Sequence, residues 1–361
     1  MEKPWAGGWL TSARRTLPQA VAVLVALEIV SIVLVGNHIQ TGFIALRARL
    51  WNRSARSPHL EYSPTDTLVR IWERDAASSS SYLEWASRGG LQQQQPKVLV
   101  LTPMKDSEKD LLRYFALLDR LTYPKHLMSL GILEGDSTDA TFAKLMDILA
   151  KLHADRAYRR LTLIKKNMQN GNRALNGHER HSYDRQGQRR STQAKCRNHL
   201  QRTALRDEDV ILWLDSDLKQ YPADLIETML ATGARIAAAN CIQPSGKCYD
   251  RNNWRETASS LVVKSQLSAD ALLFEGYNSK MRTYRESLCD IDDADVGDLV
   301  ALDGVGGTAL MVEADLVREG LFFPTFPYKH AIETEGIAQV AKSMGVEVVG
   351  LRTLKVFHEA D

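Results

Sequence analysis

Two aspartates separated by a single serine stand directly after a short apolar run. Residues 210–214 are predicted to form a buried strand, and Asp215 and Asp217 follow at its end. Paired carboxylates in this position can hold a hard divalent cation, which neutralises a diphosphate so that it can leave. The alternative interpretation is that both are ordinary loop aspartates that cap the segment after Pro222. The location at a strand end favours the metal site.

Asp136 follows another apolar run, where an acidic side chain can accept hydrogen bonds from ribose hydroxyls or from a base. It could equally cap the helix predicted after it, a role for which Ser137 and Asp139 compete. Thr102 and Pro103 follow an earlier apolar run. They either contact the same nucleotide or belong to a solvated loop. Position alone leaves both pairs of alternatives open.

Residues 173–202 are rich in Arg, His, Asn and Gln. Arg189, Arg190 and Arg197 carry guanidinium groups, which bind phosphate through paired hydrogen bonds. A solvated helix face explains most of these charges equally well. Few aromatic residues are interleaved with them, so the stretch does not suit nucleic-acid binding. Arg197 is our candidate nucleotide contact in this stretch.

Three features near the C-terminus carry groups that could reach a ligand. Residues 302–308 are rich in glycine and let the backbone approach a ligand closely, but they lack the spacing of a dinucleotide fingerprint or a P-loop. Glu333 and Glu335 either favour the N-terminus of a helix or orient an acceptor hydroxyl. His358 ends a late apolar run. A lone histidine is usually structural, yet imidazole is also a reasonable ligand for Mn²⁺.

Strands and helices alternate along the chain and position these residues. Apolar runs predict strands at residues 98–101, 128–133, 161–164 and 210–214. Helical spacing predicts helices at residues 111–121, 140–153 and 194–206. This alternation indicates an α/β fold with a mostly parallel central sheet. Ligands of such sheets bind beyond the carboxyl ends of the strands, which is where the polar clusters at 102–106, 134–139 and 215–217 fall.

The N-terminal part contains a run suited to a membrane. Residues 17–35 are almost wholly apolar and about long enough to cross a bilayer as one helix, interrupted by Glu28. A cleaved signal peptide fits less well because no small-residue cleavage site closes the run, and a core helix would have a polar face. We expect a tail at residues 1–16, an anchor at 17–35, a stem with one short helix at 36–95, and an ordered domain at 96–361.

Charge and cysteine content argue against two classes of protein. The 46 basic and 44 acidic residues give a formal charge of +2, which does not suit a generally polybasic nucleic-acid binder. The four cysteines contain no Cys-x-x-Cys pair, so a structural zinc site is not expected. Basic residues flank the apolar run almost equally, but the glycosylation sequon at Asn52 favours a lumenal C-terminal part. Cys241 and Cys248 could then pair as a disulfide.

Several segments taken together resemble one family. They are Leu-Thr-Pro at 101–103, Trp-Leu-Asp-Ser-Asp at 213–217, residues 249–257, Asp-Gly-Val-Gly-Gly-Thr at 303–308, Phe-Pro-Tyr at 326–328 and Glu-Thr-Glu-Gly at 333–336. The chain resembles the fungal Golgi mannosyltransferases of the mannan polymerase complexes over residues 97–358. Its short N-terminus, single apolar helix and stem resemble the type II membrane layout of that family, with the C-terminal part in the lumen.

The resemblance implies a GT-A type nucleotide-sugar-binding fold at residues 96–361, preceded by the transmembrane helix and stem. It implies GDP-mannose as the donor, Mn²⁺ as the cofactor, and transfer to an α-mannoside with retained configuration during synthesis of the N-glycan outer chain. Asp215 and Asp217 would form the metal motif, with His358 as a further ligand. Thr102, Pro103, Asp136 and Arg197 would contact the nucleotide, together with Asp215.

The route of transfer stays open at this point. The acceptor hydroxyl would attack either from the donor's own face or after a double displacement, for which the sequence cannot rank Asp303, Glu333 and Glu335. We place Glu335 in the catalytic set beside the two motif aspartates. The resemblance also implies a hetero-oligomer with related subunits at the Golgi membrane. A second hypothesis is a noncatalytic or weakly active subunit that assembles such a complex.

Overall fold

The structure, a computed structural model, describes residues 59–63, 67–73, 95–155, 157–168, 183–275, 282–291 and 297–359. The predicted tail at 1–16, the predicted anchor at 17–35 and the sequon at Asn52 lie outside the described residues. No helix in the part of the chain that the structure describes is both long enough and apolar enough to span a bilayer.

The described residues contain twelve strands and seven α-helices. The strands are β1 (His59–Ser63), β2 (Thr67–Glu73), β3 (Val98–Met104), β4 (Met128–Glu134), β5 (Arg160–Lys166), β6 (Val210–Leu214), β7 (Ile236–Ile242), β8 (Trp254–Arg255), β9 (Glu286–Ser287), β10 (Leu299–Ala301), β11 (Ala309–Glu313) and β12 (Val349–Phe357). The helices are α1 (Leu111–Asp119), α2 (Thr141–Ala154), α3 (Tyr183–Ala204), α4 (Leu225–Ala231), α5 (Ala258–Ser265), α6 (Ala314–Arg318) and α7 (Glu333–Ser343).

Ten of these strands form the main sheet, in the order β1-β2-β5-β4-β3-β6-β11-β7-β12-β10. Its centre is a parallel block of β5, β4, β3 and β6, and β7 pairs in parallel with β12. Strand β11 lies antiparallel between β6 and β7, so the sheet as a whole is mixed. The predicted α/β fold is confirmed, and so is the parallel arrangement of the four strands predicted from apolar runs.

Helices cover both faces of the sheet because alternate strand residues point to opposite sides. Leu212 of β6 belongs to a core cluster that includes residues of α1, α2 and α4, whereas Trp213 belongs to a second cluster with residues of α3, α6 and α7. All residues of β4, β6 and β7 are buried. Each large apolar side chain removed from water contributes about 1.5–3 kcal/mol. The buried central strands therefore hold the residues at their ends in fixed positions, where a ligand site can form.

Part of the segment predicted as a stem belongs to this sheet. Strands β1 and β2 lie within residues 36–95, and β2 pairs with the whole of β5. The sheet therefore begins before the predicted boundary at residue 96. Helix α3 also begins earlier than predicted, at Tyr183 instead of residue 194. Helix α3 is rich in polar residues, and charged residues interrupt the apolar residues of β1 and β2, so apolar runs do not reveal these elements.

The disulfide joins Cys248 to Cys289, across 41 residues. The pairing of Cys248 with Cys241 that the sequence suggested is wrong. Cys241 is a buried free thiol in β7, and burial raises its pKa. Cys248 is instead brought beside Cys289 by the path of the chain after β7.

Removing the disulfide should destabilise the domain. The double variant C248S/C289S is expected to lose up to about 4 kcal/mol of unfolding free energy, because the bond closes a long loop in the unfolded chain. Urea unfolding of the full chain measures this difference. The control is C196S, at a free cysteine, which should change the unfolding free energy by about 1 kcal/mol or less. Equal stabilities of the two variants would contradict the prediction.

Candidate active site

The Asp-Ser-Asp motif lies at the carboxyl end of β6, as predicted. The backbone nitrogen of Asp215 donates to the carbonyl of Thr308, at 3.1 Å, which links the motif to the glycine-rich loop. The hydroxyl of Thr102 donates to the carbonyl of Leu214 and bonds with the Tyr114 hydroxyl, both at 2.7 Å. Thr102 is fully buried. It therefore supports the end of β6 from within, whereas the sequence analysis placed it against the nucleotide.

His358 stands beside Asp217, just after β12. Its Nε2 lies 3.1 Å from Oδ2 of Asp217, and its Nδ1 lies 2.5 Å from the carbonyl oxygen of Glu359. Because a carbonyl can only accept, Nδ1 carries a proton and donates it, which leaves Nε2 facing the carboxylate. The Tyr249 ring stacks on the imidazole, with centroids 3.9 Å apart and planes 12° from parallel. The structure thus brings Asp217 and His358 together, as predicted.

Arg197 lies on the other side of the motif, beside Asp215. One of its terminal nitrogens is 3.6 Å from the Asp215 carboxylate, and its Nε donates to Glu333 at 2.7 Å. The guanidinium lies near two aromatic rings, 5.2 Å from the centroid of Trp213 and 5.7 Å from that of Phe323. Arg197 was predicted to contact phosphate. In the structure it joins two carboxylates and orients Asp215.

The two motif aspartates differ in their affinity for a proton. Burial raises the pKa of Asp215 to about 7, although Arg197 opposes this. Burial also disfavours the charged form of Asp217, but the hydrogen bond and charge of His358 outweigh it, so the pKa of Asp217 is lowered. Half of the Asp217 side chain is exposed, against 31% of Asp215. Asp217 is therefore the more accessible carboxylate and the one that is more readily ionised.

Asp217 and His358 suit a shared divalent cation. Carboxylate oxygen and imidazole nitrogen are both donors that first-row metal ions accept. Ligand atoms on neighbouring corners of an octahedron, each about 2.1 Å from its centre, lie about 3 Å apart. The separation of Oδ2 and Nε2, 3.1 Å, is that of a hydrogen bond when Nε2 carries a proton, and it also matches the spacing of two ligands of an ion that would replace that proton. The residues present therefore fit a metal ion.

The three predicted metal ligands do not form a closed set. Among the described residues, one group of three His, Cys, Asp or Glu side chains has all its ligand atoms within 4.8 Å, namely Cys248, Cys289 and Asp290. Its sulfurs are joined in the disulfide, so it is not a thiolate site. Asp215 instead faces Arg197. Asp217 and His358 are thus adjacent to each other, whereas the third predicted ligand, Asp215, contacts Arg197.

The glycine-rich loop accommodates protein side chains. A Cβ on Gly306 would lie 1.7 Å from Oδ2 of Asp250, and one on Gly307 would lie 2.3 Å from Arg197. Asp250 is buried and accepts a hydrogen bond from the Thr308 hydroxyl at 3.2 Å. Burial raises its pKa. We expected this loop to let the backbone approach a ligand, but the space beside these two glycines holds an acidic and a basic side chain of the site.

Glu335 lies in a buried ionic cluster behind the site. One of its oxygens bonds to Arg190, and the other accepts from Nε1 of Trp254 at 3.1 Å and lies 3.5 Å from Arg285. Arg190 also donates to Asn252, at 2.9 Å. Glu335 has no solvent exposure. Its oxygens are engaged inside the protein, so this placement gives no support to the predicted catalytic role.

Asp136 lies at the end of β4, in the left-handed region with a φ of 60°. Its carboxylate accepts from the backbone nitrogen of Met168, at 3.2 and 3.3 Å. The helix that follows is supported by Asp139, which accepts from the backbone nitrogen of Thr141 at 3.0 Å. Asp136 is therefore not the cap of α2 and remains partly exposed at the strand end. Pro103 is part of β3 and lies at the end of the neighbouring strand.

Sequence reasoning missed two residues of the site, Tyr249 and Asp250. Both lie in segment 249–257, which carried part of the family resemblance but offered no recognised spacing of chemical groups. Their partners, His358 and Thr308, are far along the chain, so no local pattern reveals the contacts.

Adding a methyl group at Gly306 should disturb the site and the domain. G306A is expected to lower the unfolding free energy by about 1–3 kcal/mol, because the new Cβ would overlap Asp250 in a packed interior. Thermal unfolding measures the effect. G297A is the matched control, since a Cβ there would meet no atom within 4 Å. Identical melting temperatures for the two variants would contradict the geometry.

Comparisons with known proteins support a specific family. The Anp1 family model matches residues 83–327, more than half of the chain. The chain is 35% identical over 289 residues to the mannan polymerase complex subunit MNN9 of Candida albicans, covering 76% of this chain and 77% of that protein. It is 34% identical over 272 residues to the mannan polymerase complex subunit mnn9 of Schizosaccharomyces pombe, covering 73% and 80%.

The chain also matches a solved structure of the mannosyltransferase PcManGT from Pyrobaculum calidifontis, in complex with GDP-Man and Mn²⁺. The sequence identity is 14% and the TM-score is 0.43, and the match covers 93% of this chain and 69% of that one. The family model and the two fungal relatives confirm the resemblance seen in the sequence: the chain belongs to the Anp1 family.

Proposed function

We propose that this chain is a retaining α-mannosyltransferase with a GT-A fold, which transfers mannose from GDP-mannose to an α-mannoside in the outer chain of N-glycans. The observation that carries the proposal is the adjacent pair of Asp217 and His358 at the ends of β6 and β12, 3.1 Å apart. The names of the relatives, subunits of mannan polymerase complexes, support mannan as the product.

Asp217 and His358 would hold Mn²⁺, while Asp215 faces Arg197 on the other side of the motif. A bound cation of this kind supplies Lewis-acid stabilisation of the charge that develops on a diphosphate leaving group. Asp217 contributes an ionised, half-exposed carboxylate to the site. Arg197 holds Asp215 through its fixed guanidinium, which is itself braced by Glu333.

The nucleotide would lie across the carboxyl ends of the parallel block. Asp136, partly exposed after β4, is the residue we propose for the ribose hydroxyls. Pro103 lines the adjacent end of β3, and buried Thr102 holds the end of β6 in place. The proposal gives no role in the chemistry to Glu335, because both of its oxygens bond within the protein.

Assembly with related subunits in the Golgi lumen forms part of the proposal. Two relatives are named as subunits of a complex, which supports a hetero-oligomer. The Cys248–Cys289 disulfide supports an oxidising compartment, since such bonds are rare in the cytosol. This agrees with a type II membrane protein that has its anchor at residues 17–35 and its catalytic domain in the lumen.

Replacing Asp217 should abolish transfer while leaving the fold intact. D217A is expected to reduce transfer from GDP-mannose roughly a thousandfold, because it removes a ligand of an ion that contributes several kcal/mol to the transition state. The assay uses the full chain in detergent with an α-mannoside acceptor, with and without Mn²⁺. The control is D119A, at an exposed aspartate that ends α1. Undiminished activity of D217A would refute the assignment.

The assembly hypothesis predicts a different result in the complex. The full chain is purified alone and after co-expression with a related subunit, and each sample is assayed for GDP-mannose transfer. We expect the chain alone to transfer mannose, and D217A in this chain to lower the activity of the complex. A complex that keeps its full activity with D217A would show that the partner performs the chemistry and that this chain only assembles it.

A further inference from the structure

The proposed function assigns no role to Tyr249, the residue before Asp250. We propose that Tyr249 is a positioning residue for the cation site, whose ring holds the His358 imidazole so that Nε2 faces Asp217. The inference rests on the proposed metal site and extends it to a residue that does not touch the ion. Side chains that orient metal ligands typically change metal affinity by roughly 10 to 100-fold when they are replaced.

The Tyr249 ring opposes one motion of the His358 imidazole, together with the contacts of the ring nitrogens. The soft motion of the imidazole is rotation about its Cβ–Cγ bond, which tilts the ring and moves both ring nitrogens out of their present plane. The contacts of Nδ1 with Glu359 and of Nε2 with Asp217 resist this tilt at two points of the ring edge. The Tyr249 ring covers one face of the imidazole, with the ring centroids 3.9 Å apart and the ring planes 12° from parallel, and so it opposes this tilt. This stacking contact requires a flat ring at position 249.

Both stacked residues are attached to the same end of β7. The backbone nitrogen of Tyr249 donates to the carbonyl of Cys241, at 3.2 Å, and that of His358 donates to the carbonyl of Ile242, at 3.0 Å. The chain between β7 and Tyr249 forms a turn that returns Cys248 to a bridge with Ile242. The separation of the two rings is therefore set by one strand end rather than by two independent loops.

The disulfide secures the loop on its other side. Cys248 precedes Tyr249 directly and is bonded to Cys289. Tyr249 is thus held between a covalent bond and a backbone hydrogen bond to β7. An aromatic ring on a fixed backbone can keep an imidazole in one orientation, whereas a ring on a free loop could not. The rigidity of this loop is consistent with positioning.

Substitutions at Tyr249 can separate positioning from simple packing. Y249F keeps the flat ring, whereas Y249L removes it and leaves an apolar side chain. The full chain is titrated with Mn²⁺, in the absence and in the presence of GDP, and free Mn²⁺ is followed by electron paramagnetic resonance. We expect Y249L to weaken Mn²⁺ binding roughly 10 to 100-fold, and Y249F to bind within about threefold of the original chain, which is about 0.65 kcal/mol.

The control variant tests whether loss of stability alone lowers metal affinity. Y123L replaces a buried tyrosine whose hydroxyl bonds to the carbonyl of Pro96, at the opposite end of β3 from the site. It should lower the melting temperature and leave the Mn²⁺ affinity unchanged. If Y249L does not fold, Y249M, which keeps most of the side-chain volume without a flat ring, takes its place.

The outcomes distinguish this inference from the proposed function. Wild-type affinity for Mn²⁺ in Y249L or Y249M would overturn the role of Tyr249 while leaving the metal site intact. Equal weakening in Y249F and Y249L would also overturn it, because the ring would then not be the feature that matters. Absence of Mn²⁺ binding by the original chain, with and without GDP, would overturn the metal site and this inference together.

Discussion

Negative charge gathered around the partly buried carboxylate of Asp215 is the constraint on which the site depends. Besides burial itself, the charges of Asp217, Asp250 and Glu333 all favour the protonated form of Asp215, and Arg197 opposes them. Like charges that are removed from water destabilise a fold unless positive charge is placed among them. A divalent cation would supply that charge. These carboxylates would therefore help to attract the proposed cation, in addition to the two side chains whose spacing fits a shared ion.

The residues around Arg197 hold its positive charge in place beside the carboxylates. Its guanidinium packs near the rings of Trp213 and Phe323, on the face of the sheet covered by α3 and α7. Its partner Glu333 adopts a φ of 57°, in the left-handed region, at the first position of α7. A non-glycine residue in a sparsely populated conformation costs about 1–3 kcal/mol and persists only where its surroundings determine it. The backbone bond from Glu333 to Pro324, 3.0 Å, is part of those surroundings.

The sequence predicted those parts of the fold that depend on local pattern. The four strands of the parallel block contain apolar runs, so their positions and the aspartates at the end of β6 were predicted without a structure, whereas the buried strands β7 and β11 were not. Strand β2 carries the charged residues Arg70 and Glu73, and its partner β5 lies almost a hundred residues later, so the same method assigned it to a stem. The disulfide, the burial of Glu335 and the stacking of Tyr249 on His358 all depend on contacts between distant segments. Residue type and spacing along the chain carry no information about such contacts.

Enzymatic and assembly roles would place different demands on this part of the molecule. Association with other subunits depends on the outer surface, whereas burial raises the pKa of Asp215 and of Asp250, and the charge of Asp250 raises that of Asp215 further. Neutral side chains of similar shape would remove that repulsion, and stability is commonly lower where function requires such arrangements. A fold that served assembly alone would have no physical need for the charged cluster, the strained Glu333 or the alignment of Asp217 with His358. These features support transfer chemistry as the function of the site.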